Sequence, residues 1–125
     1  MKTLEQIIPD AMIAIDSHIA AGDNVSKEFN GYISSLGASI ISSGLLPTLL
    51  FFGEKGGARA DRPKLIVAIE KMLVINNIIG QNVKLVVEVK NCIIQRDNLK
   101  LERLTDEVMK CATALKLVIR TYNLN

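Results

Sequence analysis

Apolar residues recur at steps of three and four along most of this 125-residue chain, the spacing of helices that bury one face. Thr3 precedes the first such stripe, and Gln6 three residues later completes a weak capping box. A turn over residues 22–24 then predicts the start of a second helix, which we expect to run to about Ser43. Its buried face carries Phe29 and the apolar residues at positions 33, 36 and 40.

The stretch from residue 29 to residue 53 contains no charged residue, so it must be buried in protein or in lipid. Gly44 predicts a left-handed residue that ends the second helix, and residues 45–52 restart as a short apolar helix with Pro47 in its first turn. A membrane span is the alternative. The many serines, the glycines and the charge-balanced flanks favour burial in protein instead.

A fourth helix is predicted over residues 63–79, with Asp61 as N-cap and Gly80 as C-cap. It is apolar on two sides, and such a helix lies either at the centre of a core or at a subunit interface. We therefore take its second apolar stripe as a candidate protein interface, with burial in the core as the alternative. That stripe consists of Val67, Val74 and Ile78.

Residues 83–89 alternate apolar and polar side chains like a strand, yet Leu85, Val89 and Cys92 also make a helix face. We favour a fifth helix because the pattern continues to Gln95. A last amphipathic helix should start near Asp97 and be broken or capped again near Thr105. The sequence thus predicts an all-α, single-domain bundle of about six helices over residues 1–125, with no sheet.

The charge balance limits how the chain can contact nucleic acid. A net charge of +2 does not indicate a strongly basic domain, so a basic surface that contacts nucleic acid must be local. The densest cationic segment is a glycine-rich linker over residues 53–62 and the residue positions just after it. We predict sequence-independent contact with RNA phosphates there, a solvated loop being the alternative. The cations are Lys55, Arg59, Arg62 and Lys64.

Catalytic patterns are absent from the sequence. His18 is the one histidine and lacks a nucleophile in a suitable turn, while Cys92 and Cys111 have no metal-ligand spacing. We expect no enzyme, no cofactor and no metal, and two free thiols in a reducing compartment. The N-terminal residues show no signal-peptide pattern, so we expect a cytoplasmic protein.

Two segments resemble a known family. The first is Gly44-Leu45 followed by the Thr-Leu-Leu-Phe-Phe segment at residues 48–52 and then Lys55. The second covers residues 105–109 and 114–116. Their order and spacing resemble the small α-helical subunit of the type III-B RNA-silencing (Cmr) effector complex of CRISPR systems. The chain departs from that pattern at Gly37, where a proline is expected, and at Ala114, where a tryptophan is expected.

The resemblance implies a non-catalytic subunit, several copies of which line a guide–target RNA channel beside other subunits. The partners would be those subunits, guide and target RNA, and copies of the chain itself, with no membrane. Two alternatives stay open from the residues alone. One is a DNA-binding helix-turn-helix regulator with its turn at Gly44, although the helix after Gly44 is uncharged, unlike a recognition helix. The other is a helical adaptor unrelated to RNA.

Overall fold

The structure, a computed structural model, describes residues 2–53 and 61–125. Within those residues the predicted all-α bundle is confirmed. The helices are α1 (Leu4–His18), α2 (Glu28–Ser43), α3 (Leu45–Phe52), α4 (Arg62–Ile75), α5 (Leu85–Ile94) and α6 (Asn98–Val118). A single turn of 3-10 helix follows at Ile119–Thr121, and two short strands are β1 (Asn24–Val25) and β2 (Asn123–Leu124).

Helix α6 is the central element and packs against α1, α2, α4 and α5. It can do so because its apolar side chains cover more than one face, with small residues among them. Helix α6 packs most extensively against α1, and Ala112 and Ala114 of α6 and Ala11 and Ala14 of α1 are all buried. Aliphatic side chains such as Leu115, together with Phe29 and Phe52, complete one continuous core, as the low aromatic fraction of 4% implies.

The predicted start of α1 is confirmed. Thr3 Oγ1 accepts a hydrogen bond from the backbone N–H of Gln6 at 3.3 Å, and Gln6 Oε1 accepts one from the backbone N–H of Thr3 at 2.8 Å. This reciprocal pair satisfies two backbone donors that the first turn leaves without helical partners.

The corner at Gly44 is also confirmed, but its backbone geometry differs from the one expected. Gly44 has φ 96° and ψ 168°, an extended conformation that only glycine adopts readily, rather than the left-handed helical one. Thr48 Oγ1 lies 2.8 Å from Gly44 O and 2.7 Å from Ser39 Oγ, which fixes α3 against α2. No helix in the described part of the chain is long and apolar enough to span a bilayer.

The predicted end of α4 is wrong. The helix stops at Ile75 instead of residue 79, and Asn77 takes the left-handed conformation with φ 58°. The backbone N–H groups of Ile78 and Asn77 donate to Leu73 O and Val74 O at 2.9 Å and 3.0 Å, the paired bonds of a Schellman ending. Asn76 Nδ2 adds a bond to Met72 O at 2.8 Å. Because asparagine tolerates this conformation, Gly80 is not needed as the cap.

The ambiguous segment after residue 83 is a helix, α5, as favoured. The last helix is continuous through Thr105, where a break was expected. The Thr105 hydroxyl donates to Leu101 O at 2.8 Å and so bonds within the helix. Asp97 caps α6 by accepting from the backbone N–H of Lys100 at 3.1 Å.

The expectation of no sheet is wrong in one detail. β1 and β2 form a two-stranded parallel pair that ties the end of the chain to the loop after α1. The backbone N–H of Asn123 donates to Asp23 O at 2.8 Å, and that of Asn125 donates to Val25 O at 3.1 Å. Two residues are too few to show an alternating pattern, so the sequence carries no signal for these strands.

Candidate nucleic-acid and partner interface

Two of the four predicted RNA-contacting residues, Lys55 and Arg59, lie outside the described residues. The other two stand at the start of α4 and already have partners. The Arg62 guanidinium lies over the ring of Phe51, with Cζ 4.4 Å from the ring centroid. Lys64 Nζ lies 3.1 Å from Asp61 Oδ1, so Asp61 pairs with Lys64 and its side chain does not cap α4 as predicted.

The predicted protein interface is divided by the early end of α4. Val67 is 37% exposed, whereas Val74 is half-buried and packs against the core. Both line the same cleft. Ile78 comes after the Schellman turn and lines different clefts beside Asn77. The structure therefore brings Val67 and Val74 together and separates Ile78 from them.

The cleft beside Val67 and Val74 has a volume of about 340 Å³ and joins the end of α1, the outer face of α4 and the turn before α5. We call it the basic cleft because three basic residues line it: His18, Lys71 and Lys84. Its other lining residues are the valines at positions 67, 74 and 83 together with Glu70, Gln81 and Asn82. Apolar and basic side chains thus line the same depression.

The electrostatics of the basic cleft depend on Glu70, the one carboxylate among its described lining residues. Glu70 Oε2 accepts a hydrogen bond of 2.7 Å from the backbone N–H of Leu85, at the start of α5. The carboxylate thereby satisfies an unpaired donor of that helix end. Within residues 2–53 and 61–125, Lys71 and Lys84 form no ion pair, so their charges remain available to an anionic partner.

An apolar groove continues from the basic cleft along α3. It has a volume of about 370 Å³ and shares Val67, Glu70 and Lys84 with the cleft. Its remaining lining is almost entirely apolar, with Leu49, Leu50, Gly53, Pro63, Ile66 and Val86. The two depressions form one surface that runs from the start of α4 to the end of α1.

Sequence reasoning found part of this surface and missed the rest. Four residues recur at steps of three and four on α4, namely Lys64, Val67, Lys71 and Val74. The two valines were identified from the sequence as part of a surface, but Lys71 was not. His18 and Lys84 join them only through packing of α1 and α5 against α4. Such a cluster has no local signal in the sequence.

Two features bear on the expectations from the sequence. They are the state of the two cysteines and the surface of helix α3, which was considered as a DNA-recognition helix. Cys92 and Cys111 are both free and buried, and burial raises the pKa of Cys111 to about 12. In the described part of the chain no group of three or more His, Cys, Asp or Glu side chains is placed to hold a metal ion.

The exposed side of α3 presents Leu50 and Phe51, which gives no support to a DNA-recognition helix.

Comparison with known proteins identifies the family. Neither the curated proteins nor the solved structures give a significant match to the chain. The family model described as CRISPR-associated protein (Cas_Cmr5) matches residues 5–121, a span that contains nearly all of the helical core. The chain belongs to the CRISPR-associated protein family Cas_Cmr5.

Proposed function

We propose that this protein is a non-catalytic small subunit of a type III-B CRISPR ribonucleoprotein effector. In this role it helps to assemble the complex and holds guide or target RNA by its phosphate backbone. Membership in the Cas_Cmr5 family supports a place among the subunits of a Cmr effector. The effector would work in the cytoplasm, with other subunits and further copies of this chain as neighbours.

The observation that carries the RNA-holding role is the basic cleft. Lys71 and Lys84 have no ion pair in the described structure, and His18 lies beside them. Cationic side chains that converge on one depression attract phosphates, and a contact with phosphates alone carries no sequence information. The valine side chains that line the same cleft offer the sugar and base faces of RNA an apolar surface without base-specific donors.

The four cationic residues predicted from the sequence are also proposed to contact RNA phosphates, with a smaller contribution than Lys71 and Lys84. They are Lys55, Arg59, Arg62 and Lys64. Arg62 and Lys64 must exchange their contacts with Phe51 and Asp61 for phosphate contacts. That exchange lowers their net contribution relative to Lys71 and Lys84, which form no ion pair with any described residue. Lys55 and Arg59 remain candidates for additional phosphate contacts in the assembled complex.

Salt dependence of RNA binding tests the proposal on the isolated chain. The affinity of a fluorescein-labelled, unstructured RNA would be measured by anisotropy over a range of salt concentrations. Each neutralised phosphate on a single strand contributes about 0.7 to the slope of log affinity against log salt. The double variant Lys71→Ala/Lys84→Ala should therefore lower the slope by roughly 1.4.

The matched control is Lys27→Ala/Lys90→Ala, which removes the same charge from exposed positions that do not line the cleft. It should lower the slope much less. Equal losses in the two double variants would mean diffuse attraction and would contradict a cleft-centred site. The labelled RNA should also stay intact during the titration, because the proposed role is to hold RNA without cleaving it.

A further inference from the structure

A second depression lies at the end of the bundle where the Gly44 corner meets the last turn of α5 and the first half of α6. It has a volume of about 400 Å³. Leu45 and Leu46 of α3, Ile93 of α5 and Leu101 of α6 supply most of its apolar lining. None of the proposed RNA-contacting residues lines it.

The charge of this depression is opposite to that of the basic cleft. Among its described lining residues the charged ones are Glu102 and Asp106. They stand four positions apart on α6 and so share one face of the helix. Both are exposed, and neither forms an ion pair within the described structure. We call this depression the acidic groove.

The acidic groove and the basic cleft lie at opposite ends of α5. Lys84 precedes the first residue of this ten-residue helix and lines the cleft, whereas Ile93 near its last residue lines the groove. A helix of that length spans about 15 Å. A polyanion held in the cleft would therefore be repelled from the groove by the carboxylates of Glu102 and Asp106 a short distance away.

Part of the apolar lining of the acidic groove is open to solvent. Ile93 is 44% exposed, and Leu46 and Leu101 are half-buried. Burying aliphatic side chains removes apolar surface from water, so a partner that covers Leu46, Ile93 and Leu101 gains binding free energy. The surface thus combines apolar side chains with two carboxylates that form no ion pair among the described residues.

We propose that the acidic groove is the docking site for a basic amphipathic segment of another protein subunit. Aliphatic side chains of that segment enter between Leu46, Ile93 and Leu101, and its lysine or arginine side chains pair with Glu102 and Asp106. Charge complementarity selects this occupant, because an acidic segment or RNA meets like charge on the rim. The proposal rests on the proposed function only in taking the partner to be another subunit of the effector.

Co-purification with the assembled effector tests the proposal. The complex would be isolated through a tag on a different subunit, and the amount of this chain would be measured by quantitative mass spectrometry. Glu102→Lys/Asp106→Lys reverses the rim charge and should lower incorporation by roughly tenfold or more. The control Glu5→Lys/Asp23→Lys makes the same change in net charge at exposed positions away from the groove, and it should leave incorporation unchanged.

A photo-crosslinking amino acid at Ile93 gives a second measurement that keeps both carboxylates. The crosslinked peptide should belong to another effector subunit and combine aliphatic with basic residues. Crosslinks to RNA or to a second copy of this chain would overturn the proposal, as would unchanged incorporation of Glu102→Lys/Asp106→Lys. The RNA affinity of the isolated Glu102→Lys/Asp106→Lys chain, measured separately, tells a failure of this docking site from a failure of the RNA-holding role.

Discussion

The guanidinium of Arg62 stacks on the ring of Phe51, 4.4 Å from Cζ to the ring centroid, and so joins the end of α3 to the start of α4. Phe51 in turn meets the ring of Phe52 edge-on, with 5.7 Å between centroids, and Phe52 is buried in the core. A residue predicted from its charge to contact RNA thus also holds two helices together.

This stacking predicts a measurable coupling between the two residues. In a double-mutant cycle with Phe51→Ala and Arg62→Ala, the free energies of unfolding should depart from additivity by about 0.5–1 kcal/mol, the usual range for an exposed cation–π pair. Urea unfolding followed by circular dichroism measures it. Lys64→Ala, which removes a surface ion pair, should change stability by less than about 0.5 kcal/mol. Strict additivity in the cycle would show that the ring and the guanidinium do not interact in solution.

Charge substitutions on α4 should separate the interface role of Val67 from the core role of Val74. Val67→Glu places a carboxylate at an exposed position and should change the free energy of unfolding by about 0.5 kcal/mol or less. Val74→Glu brings a carboxylate against the core and should cost about 1–3 kcal/mol. Thermal or urea unfolding of the two variants measures the difference.

The Val67→Glu and Val74→Glu variants also test the predicted protein interface. If α4 contacts another subunit through this stripe, folded Val67→Glu protein should fail to enter the assembled complex. Normal incorporation of that variant would leave Val67 without an interface role, and the acidic groove would become the stronger docking surface.

Alkaline pH should destabilise the protein through Cys111. Burial raises the pKa of this thiol from 9.0 to about 12, so the unfolded chain loses its proton first as pH rises. The contribution to stability is complete below pH 9 and disappears between pH 9 and 12. Its slope is at most about 1.4 kcal/mol per pH unit. Urea unfolding at pH 8 and pH 10.5 should show the decline in the native sequence and a shallower one in Cys111→Ala.

The ionisation of Tyr122 affects stability in part of the same pH range, from pH 10 to 12, so it needs its own control. Burial and the hydrogen bond that its hydroxyl donates to Asp16 raise the pKa of Tyr122 from 10.0 to about 12. Tyr122→Phe should therefore also flatten the decline above pH 10. A decline that is equally steep in both variants would show that neither group causes it.

The elements that could be predicted from the sequence are those with local causes. The helical period of α1, α2 and α6, the capping box of Thr3 and the corner at Gly44 each depend on residues a few positions apart. The end of α4 was predicted at Gly80, but it lies at Asn76 and Asn77. Asn76 is held in part by a hydrogen bond of 3.1 Å to Asp10, which lies 66 positions earlier and gives no local signal.

The candidate site likewise combines residues that have a local signal in the sequence with residues that only tertiary packing brings together. The stripe on α4 was visible as Val67 and Val74, because its spacing is helical. Lys71 was overlooked because a lone lysine on a helix usually faces solvent. His18 and Lys84 reach the basic cleft through tertiary packing, and Glu70 in the same cleft accepts its hydrogen bond from the backbone N–H of Leu85, 15 positions later.

Mapping of RNA–protein crosslinks in the assembled effector tests the central claim most directly. The complex would be isolated with its guide RNA, irradiated with ultraviolet light and digested, and the crosslinked peptides identified by mass spectrometry. RNA held in the basic cleft should crosslink to peptides of this chain that contain Lys71 or Lys84, and Lys71→Ala/Lys84→Ala should remove those crosslinks. Crosslinks confined to the segment with Lys55 and Arg59, or absent from this chain while other subunits crosslink, would contradict the account.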